Sequence, residues 1–286
     1  CYMKKNYFKK VVEVINEVKR LKIGLILLSI VIAVAILAPL LATHDPFRLN
    51  DEILATPSSK YLLGTDGLGR DLFSGILYGT YTSLAVGVMA ATISAIIGVL
   101  IGGIAGFYGG KIDHVVSELI NIFLMMPSFF LILIIVALFG SSLYNMMLVI
   151  GVTTWTSNAK LMRAQTLSLK ERTFVKSLIT LGESNSSILI KHIIPNGIFP
   201  IIANTTMNIS GAILTEASLS FLGLGDPNLI SWGQMVFHGR NYLTNGWWVS
   251  TFPGIAILIT VLAFYLIGDG LNTLFNPKLR KNAGRL

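Results

Sequence analysis

Long runs of apolar residues constrain the fold of this chain more than any other sequence feature. A helix needs about 20 residues to cross the hydrocarbon core of a bilayer, and 53% of the 286 residues are hydrophobic while only 13% are charged. The fourth of six such runs is the weakest, because hydroxyl side chains between Thr153 and Ser157 dilute it. We predict an all-α membrane protein with six transmembrane helices, at Ile23 to Ala42, Ser83 to Phe107, Leu119 to Phe139, Leu143 to Ala159, Ile198 to Leu222 and Val249 to Ile267.

Lysine and arginine are distributed unevenly over the loops between these spans. With the N-terminus inside, 18 of the 22 basic residues fall in cytoplasmic segments, and four, namely Arg48, Lys60, Arg70 and Arg240, fall outside. Cytoplasmic flanks of membrane helices collect Lys and Arg. The pattern predicts a multi-pass protein of the cell membrane, in contact with lipid, with both termini in the cytoplasm. The net charge of +8 is then a signal of topology, and no nucleic-acid partner is predicted.

The spans divide the chain into five parts. Residues 1–22 are basic with interleaved valines, a pattern that fits an amphipathic helix on the inner leaflet as well as a solvated tail. Residues 23–42 are the first transmembrane helix, and residues 43–82 form an extracellular loop. Residues 83–270 form a five-helix core that includes a cytosolic segment at 160–197, and residues 271–286 form a basic cytosolic tail.

The sequence shows no catalytic or cofactor-binding constellation. A nucleotide-binding loop needs Gly-x-x-x-x-Gly-Lys-Ser/Thr, and the nearest fragment, Gly110-Lys111-Ile112, lacks the hydroxyl and the upstream glycine. The single cysteine excludes a cysteine cluster, and the histidines at 44, 114, 192 and 238 have no metal-ligand spacing. We therefore predict a non-catalytic protein without a bound metal or cofactor, in which any use of ATP depends on a partner.

The cytosolic segment at 160–197 is much longer than two neighbouring spans require. Apolar residues between Leu167 and Leu181 recur at helical spacing. Gly182 then permits a left-handed turn, and the serines from Ser184 to Ser187 can cap a second helix that ends at Pro195. We predict two short helices joined at the glycine, which together present a knob to a groove on a partner.

Several ordered motifs point to one protein family. They are Leu63-Gly64-Thr65-Asp66 with Gly69-Arg70-Asp71, Ala105-Gly106-Phe107-Tyr108-Gly109-Gly110, Met126-Pro127-Ser128, Glu216-Ala217-Ser218-Leu219-Ser220-Phe221-Leu222-Gly223-Leu224-Gly225, Ser231-Trp232-Gly233 and Gly268-Asp269-Gly270-Leu271. From about Leu62 onward the chain resembles the permease subunits of ABC importers for dipeptides, oligopeptides and nickel, and among them the second permease of the pair. The resemblance implies the transmembrane domain of a type I ABC importer with cytosolic coupling helices.

The resemblance also implies a set of partners and a coupling site. The partners are a homologous sister permease, two cytosolic ATPase subunits and an extracellular, lipid-anchored substrate-binding protein. The family's coupling motif is Glu-Ala-Ala followed by three residues and Gly, and this register falls on Lys176-Ser177-Leu178 with Gly182, so that a lysine replaces the acidic residue. The residues expected at the ATPase contact are Phe174, Lys176, Ser177, Leu178, Gly182, Pro195 and Asn196.

Two further groups of residues are expected to have functional roles. The outer-loop residues expected to contact the binding protein are Asp66, Arg70, Asp71 and Trp232. Glu216 lies inside an apolar span, where a carboxylate costs free energy unless it faces protein or water. We expect it at the translocation path, at a contact between permeases, or in a buried pair or hydrogen bond between helices. Pro127 is expected to kink its span, either as a gate at the translocation path or a permease contact, or as a static bend packed by its neighbours.

The resemblance favours a permease subunit that, with its sister, forms the path for di- and oligopeptides delivered by the binding protein. Import of nickel, cobalt or a metal chelate carried by a metallophore is the alternative, because the resemblance spans both cargoes. A self-contained secondary transporter is a more distant alternative, and it is expected to show inverted repeats and more intramembrane ionisable groups. An intramembrane enzyme needs a nucleophile with a base, paired aspartates or metal-ligand histidines, and the sequence shows none of these.

Overall fold

Helices joined by loops make up the described part of the chain, residues 18–275 of a computed structural model. The helices are α1 (Lys19–Leu41), α2 (Leu72–Tyr108), α3 (Gly110–Met125), α4 (Ser128–Phe139), α5 (Leu143–Lys170), α6 (Thr173–Thr180), α7 (Asn185–Leu224), α8 (Trp232–Gly239) and α9 (Trp248–Phe275). Within these residues the β-type pairing is limited to a single bridge between Thr65 and Asp71, so the all-α prediction is confirmed there. The predicted amphipathic segment at 1–22 and the basic tail at 271–286 lie mostly outside the described residues.

Four helices, α1, α2, α7 and α9, are long and apolar enough to cross a membrane. Helices α3 and α4 meet the same condition only as a pair, which is bent by 82° at the break between them. Helix α5 has 28 residues, but it is too polar to meet the condition for crossing a membrane. This agrees with the hydroxyl residues that weaken the fourth predicted span. By length and composition, residues 18–275 therefore contain four spans, or five with the bent pair. The predicted count of six is not confirmed.

Pro127 lies at the break between α3 and α4, inside the predicted third span. Met126, the residue before it, has an extended backbone with ψ of 130°, which is the conformation that a following proline favours. The carbonyl of Pro127 accepts the first hydrogen bond of α4, from the N–H of Leu131 (3.2 Å). The predicted kink is present as a sharp bend, and its role as a gate stays a prediction.

Hydrogen bonds between distant residues gather several helix ends at one end of the bundle. Arg20, at the start of α1, donates to Asp269, near the end of α9 (2.7 Å). Lys170, at the end of α5, donates to the carbonyl of Phe107, near the end of α2 (2.6 Å). Helix α6 follows Lys170 after a two-residue link. We therefore call this the α6 end of the bundle.

The opposite end of the bundle carries the long loops after α1 and α7, and we call it the loop end. Thr43, after α1, donates to Asp71, just before α2 (3.2 Å). Leu143, the first residue of α5, donates its N–H to Asp226, after α7 (3.1 Å). Helix α5 therefore runs between the same two ends as the apolar helices, although its composition is more polar.

Glycines allow α2 to pack closely against α5. A Cβ atom at Gly98 would lie 2.8 Å from the backbone nitrogen of Ala159, and one at Gly106 would lie 2.8 Å from the carbonyl oxygen of Arg163. Small residues at such positions let two membrane helices approach each other. This contact places the polar middle of α5 against the centre of the bundle.

Helix α7 begins at Asn185, well before the predicted fifth span, and passes through Pro195 without a break. The prediction that Pro195 ends a short second helix is therefore wrong. Residues Ile188–Ile193 form wider π-type turns, and Pro195 lies in the first turn of the α-helical part that follows, where a missing N–H is tolerated. The side-chain amide of Asn196 donates to the carbonyl of His192 (2.6 Å) and supplies a donor beside the proline.

Candidate functional site

Helix α6 and the turn after it correspond to the first half of the predicted two-helix knob, and we define the knob as residues 171–183, because the predicted second short helix is the start of α7. The turn is a Schellman motif, in which the N–H of Gly182 donates to the carbonyl of Ile179 (3.0 Å) and that of Glu183 to Leu178 (3.1 Å). Gly182 has a φ of +78°, so the predicted left-handed turn is confirmed. A Cβ atom there would meet nothing within 4 Å. Backbone conformation, not crowding, makes glycine the favoured residue.

One face of α6 packs against the chain and the other faces are open. Val175 is fully buried, and Leu178 packs against the same apolar cluster, which includes Met162 and Ile188. The exposed apolar side chains of the knob are Phe174, Ile179 and Leu181, at 41%, 51% and 81% exposure. Exposed apolar groups gathered on one short element are typical of a protein contact.

Lys176 forms an exposed ion pair with Glu171 on the knob. The Lys176 Nζ lies 2.9 Å from the Glu171 Oε2, and this hydrogen bond lowers the pKa of the Glu171 carboxyl. Lys176 occupies the position where the resembling family has an acidic residue, and the structure brings an acidic side chain to it from the end of α5. Sequence analysis missed Glu171, because a contact across the break between two helices follows no helical spacing rule.

A second polar link joins the knob to the start of α7. The Oε1 atom of Glu183 accepts a hydrogen bond from the Ser187 hydroxyl (2.7 Å) and lies 3.1 Å from the His192 Nε2. The Ser187 hydrogen bond, and after it the His192 contact, lower the pKa of Glu183. Ser184 caps α7 by accepting from the N–H of Ser187 (3.4 Å), as predicted. These contacts of Glu183 therefore hold the turn at Gly182 against the first two turns of α7.

The structure brings five of the seven predicted coupling residues together in the knob, and these are Phe174, Lys176, Ser177, Leu178 and Gly182. Pro195 and Asn196 are exposed but lie in α7, roughly 15 Å along the helix from its start at 1.5 Å per residue. Leu178 faces its own chain and supports the knob from inside. The role of all seven in coupling stays a prediction.

At the loop end, Asp66 and Arg70 form a tight turn before α2. The Oδ2 atom of Asp66 accepts from the Arg70 Nε (2.8 Å), and its Oδ1 accepts from the N–H groups of Leu68 (2.8 Å) and Arg70 (2.9 Å). Gly69 has a φ of +75°, which the turn requires. The side chains of Asp66 and Arg70 are 13% and 25% exposed. Both charged groups are therefore held in fixed positions and remain within reach of a partner.

Asp71 and Trp232, by contrast, are buried. Asp71 is 1% exposed and caps α2 by accepting from the N–H of Ser74 (2.9 Å). Trp232, in α8, is 2% exposed, and its indole Nε1 donates to the carbonyl of Ile76 in α2 (3.0 Å). These two residues fasten the loops at this end to α2, so of the four predicted residues only Asp66 and Arg70 are placed for a contact with a binding protein, and that contact stays a prediction.

A cavity of about 380 Å³ lies between the loops after α1 and α7 at the loop end. Its polar lining includes Asp66, Arg70, Asp71, Gln234 and His238. Burial, and after it the charge of Arg70, lowers the pKa of His238. The histidine therefore stays neutral to a lower pH than an exposed histidine. Three of the four predicted outer-loop residues thus line one opening.

Glu216 is buried inside α7, at 2% exposure. Its Oε1 accepts from the Ser220 hydroxyl (2.8 Å), and its Oε2 has no hydrogen-bond partner among the residues described. Gly233, at the start of α8, packs against the same turn, since a Cβ atom there would lie 2.6 Å from the Cα of Ala217. Glu216 thus faces protein, a position that agrees with the structural role predicted for it. That role stays a prediction.

A sequence profile of the family described as "binding-protein-dependent transport system inner membrane component" matches residues 98–281. This range includes the knob, α7 and α9 and covers more than half of the chain. The chain belongs to this family. It is a permease subunit of an ABC importer and not itself an ATPase, so the predicted family and the predicted non-catalytic role are confirmed.

The chain is similar to known permeases over most of its length. It is 38% identical to the dipeptide transport system permease protein DppC of Alkalihalophilus pseudofirmus, over 94% of this chain and 90% of that protein. It is 38% identical to the oligopeptide transport system permease protein OppC of Bacillus subtilis, over 91% and 86%. It is 39% identical to the dipeptide transport system permease protein DppC of Haemophilus influenzae, over 91% and 90%.

The fold is similar to that of a solved ABC transporter. A chain of the inward-facing MetNI methionine ABC transporter matches 71% of this chain and 97% of its own length, with a TM-score of 0.56 and 17% identity. At this identity the likeness concerns the fold alone. It confirms the predicted fold class, a type I ABC importer transmembrane domain, apart from the number of spans. The family assignment argues against both a self-contained secondary transporter and an intramembrane enzyme.

Proposed function

We propose that this chain imports short peptides as one of two permease subunits of an ATP-driven importer. The observation that carries the proposal is the similarity to three peptide permeases over 86% to 90% of their lengths. The second permease would complete the translocation path, and an extracellular, lipid-anchored binding protein would deliver the peptide. Nickel or a metal chelate remains the alternative cargo, and the experiment below separates the two.

The orientation that we propose places the α6 end in the cytoplasm and the loop end outside. Three basic side chains, those of Arg20, Arg163 and Lys170, lie at or near the α6 end, and basic flanks of membrane helices are typically cytoplasmic. Both termini would then be cytoplasmic, because α1 begins and α9 ends there. The knob would face the two ATPase subunits.

We propose that the knob docks into a groove on an ATPase subunit. Phe174, Ile179 and Leu181 supply exposed apolar anchors, and the Schellman turn at Gly182 fixes their position. The link from Glu183 to His192 connects this surface to α7. Since α7 runs without a break from Asn185 to Leu222, just before the non-helical Gly223 with its φ of +86°, roughly 57 Å at 1.5 Å per residue, a displacement of the knob can be carried along one helix toward the outer loops.

The outer loops would receive the binding protein in this arrangement. Asp66 and Arg70 present charged groups at the cavity between the two loops, and their turn is fixed by three hydrogen bonds. Asp71 and Trp232 would act by holding the loops to α2. Charge complementarity at such a surface raises association rates more than affinity, so association with the binding protein should slow with rising salt.

The proposed function is tested by reconstituting the chain in liposomes with its sister permease, ATPases and binding protein. The measurements are ATP hydrolysis and uptake with trialanine, and in parallel with a nickel–histidine chelate. Uptake of trialanine that requires the binding protein and ATP is the expected result. Stimulation by the chelate alone would assign the metal cargo instead, and uptake by this chain without the ATPases would overturn the importer. Liposomes that lack the binding protein are the control.

A further inference from the structure

A row of polar residues follows one face of α7 within its apolar span. It consists of Asn204, Asn208, Thr215 and Ser218, with the small residue Gly211 between them, and we call these five positions the polar stripe. The positions i, i+4, i+7, i+11 and i+14 share one face of an α-helix, and the part of α7 that holds them, Ile194–Leu219, is α-helical. The stripe covers roughly 20 Å, which is most of the ~30 Å hydrocarbon thickness of a bilayer.

The polar stripe is exposed at Gly211 and Ser218 and half-buried at its other three positions, while the rest of the chain covers two neighbouring faces of α7. Gly211 is exposed, and a Cβ atom there would meet nothing within 4 Å. On one side, Ser210 donates to the carbonyl of Val261 in α9 (2.9 Å). On another side, Ile213 packs closely against Gly87 in α2. The stripe therefore faces whatever surrounds the chain in the membrane.

A hydrogen-bond network extends the polar stripe onto α5. The side-chain amide of Asn204 donates to the Asn158 Oδ1 (2.9 Å) and the Ser157 hydroxyl (3.3 Å), and the amide of Asn208 donates to Ser157 (3.4 Å). Asn158 is fully buried and donates to Ser94 in α2 (3.3 Å). The network is thus anchored in the core and open at Ser157, which is exposed. Because Ser157 at its outer edge is exposed, the network is not fully enclosed between α5 and α7.

The exposed face of α9 has the apolar composition expected of a lipid-facing surface. Its large exposed side chains include Ile255, Leu258, Ile259 and Leu262. In the same surroundings, the amide groups of Asn204 and Asn208 that are not already bonded to Ser157 or Asn158 would lack hydrogen-bond partners, because hydrocarbon offers none. The polar stripe is therefore matched to water or to a polar ligand and not to lipid.

We propose that the polar stripe, together with Ser157, lines a wet path and hydrogen-bonds the backbone of a peptide in transit. This proposal rests on the proposed function and deepens it by naming the residues that meet the substrate. An asparagine amide both donates and accepts. Asn208, which donates once, to Ser157, can still donate to and accept from a peptide bond, whereas Asn204, which donates to both Asn158 and Ser157, can accept through its Oδ1. The stripe carries no charged residue, a lining suited to an amide backbone, whereas a bare divalent metal ion would favour carboxylates or imidazoles.

Cysteine accessibility in the assembled transporter tests this proposal. The background is the Cys1→Ser chain, since the sequence has one cysteine. Asn208→Cys and Thr215→Cys probe the polar stripe, and Leu258→Cys and Leu262→Cys on α9 are the lipid-facing controls. A charged, membrane-impermeant methanethiosulfonate is applied to proteoliposomes of the complete importer. Because this reagent reacts only with thiols in water, we expect the stripe cysteines to react at least about tenfold faster than the controls.

Two outcomes overturn the proposal. Equal, slow labelling of Asn208→Cys and Leu258→Cys would mean that lipid or a sister helix covers the polar stripe. Fast labelling of Asn208→Cys that is not slowed by the binding protein with trialanine would remove the peptide contact. Uptake of trialanine by the Cys1→Ser parent is measured on the same liposomes. Failed uptake would refute the proposed function, whereas normal uptake with a failed labelling contrast would refute the polar stripe alone.

Discussion

The Lys176 ammonium lies 2.9 Å from the Glu171 carboxylate, so the reversed charge at the coupling motif is paired with an acidic group held beside it. Both side chains are well exposed, at 61% and 72%. Exposed pairs contribute about 0–1 kcal/mol to folding. The consequence of the pair therefore concerns the docking surface more than stability.

We expect Lys176→Glu to weaken association with the native ATPase by several-fold, since the change places two carboxylates together on the docking surface. The free energy of unfolding should change by less than about 1 kcal/mol. Pull-down of the ATPase and thermal unfolding in detergent measure the two effects separately.

Lys191→Glu is the matched control for this change, because Lys191 is exposed on α7 outside the knob and should leave association unchanged. The double variant Glu171→Lys, Lys176→Glu restores the ion pair in reverse. If the double variant binds the ATPase as the single Lys176→Glu variant does, the sign of the charge at 176 decides docking. Stronger binding by Lys176→Glu would contradict the expectation and indicate a basic groove.

Gly182→Val should weaken ATPase association and transport while membrane insertion stays normal. A left-handed backbone costs a side-chain-bearing residue roughly 1–2 kcal/mol, and a β-branched residue suffers most. Gly182→Asn should be milder, because asparagine tolerates this conformation. The measurements are the amount of chain in the membrane, ATPase pull-down and peptide uptake.

Gly254→Ala in α9 is the control for the glycine replacement. A Cβ atom at Gly254 meets nothing within 4 Å, as at Gly182, but the backbone there does not have a positive φ. Uptake by Gly254→Ala should equal that of the parent. A Gly182→Val chain with normal pull-down and uptake would remove the argument that the turn positions the knob.

His238 should make the loop end sensitive to acid. Its pKa in the folded chain is lowered by burial and by Arg70, so the unfolded chain binds a proton more readily than the folded one. Stability should therefore fall as the pH drops through about 6.5, the ordinary value for histidine. Thermal unfolding at about pH 7.5 and about pH 5.5 should show a smaller loss for His238→Gln than for the parent.

His114→Gln is the control for the acid effect, since His114 lies in α3 and does not line the cavity. This variant should keep the acid sensitivity of the parent. An equal loss of stability on acidification in the parent and in His238→Gln would show that other groups cause the effect.

Glu216→Gln should fold and transport nearly as the parent does, because the amide still offers an acceptor to Ser220 in a buried site. Glu216→Ala should lose about 2 kcal/mol of stability, through the lost hydrogen bond and the space that it leaves. Thermal unfolding and peptide uptake are measured for both variants. A Glu216→Gln chain that unfolds like the parent but takes up no peptide would place the carboxylate in the transport path instead.

Local patterns predicted much of what the structure shows. The left-handed turn at Gly182 and the cap at Ser184 depend on neighbouring backbone groups, so a few residues suffice to recognise them. The kink at Pro127 likewise follows from the missing N–H and the restricted residue before it. The strongly apolar spans were recognised because their composition alone matches the bilayer.

Predictions failed where contacts with distant residues, or unusual local contacts, determine the end of a helix or the burial of a side chain. Pro195 carries the usual signal for a helix end, yet the π-type turns before it and the Asn196 side chain let α7 continue. Asp71 and Trp232 look like loop residues available to a partner, but both are buried against α2. Their burial depends on Ser74 and Ile76, which belong to the helix and not to the loop.

The sequence by itself determined that the chain is a helical membrane protein of this permease family with a glycine-ended knob, because composition, periodicity and short motifs are read locally. The tertiary structure decided which residues meet and which remain open. It brought Glu171 to Lys176, buried Glu216 and left Gly211 on the polar stripe exposed. These outcomes depend on packing between helices far apart in the chain, and helical spacing constrains only the face on which a residue lies, not what covers that face.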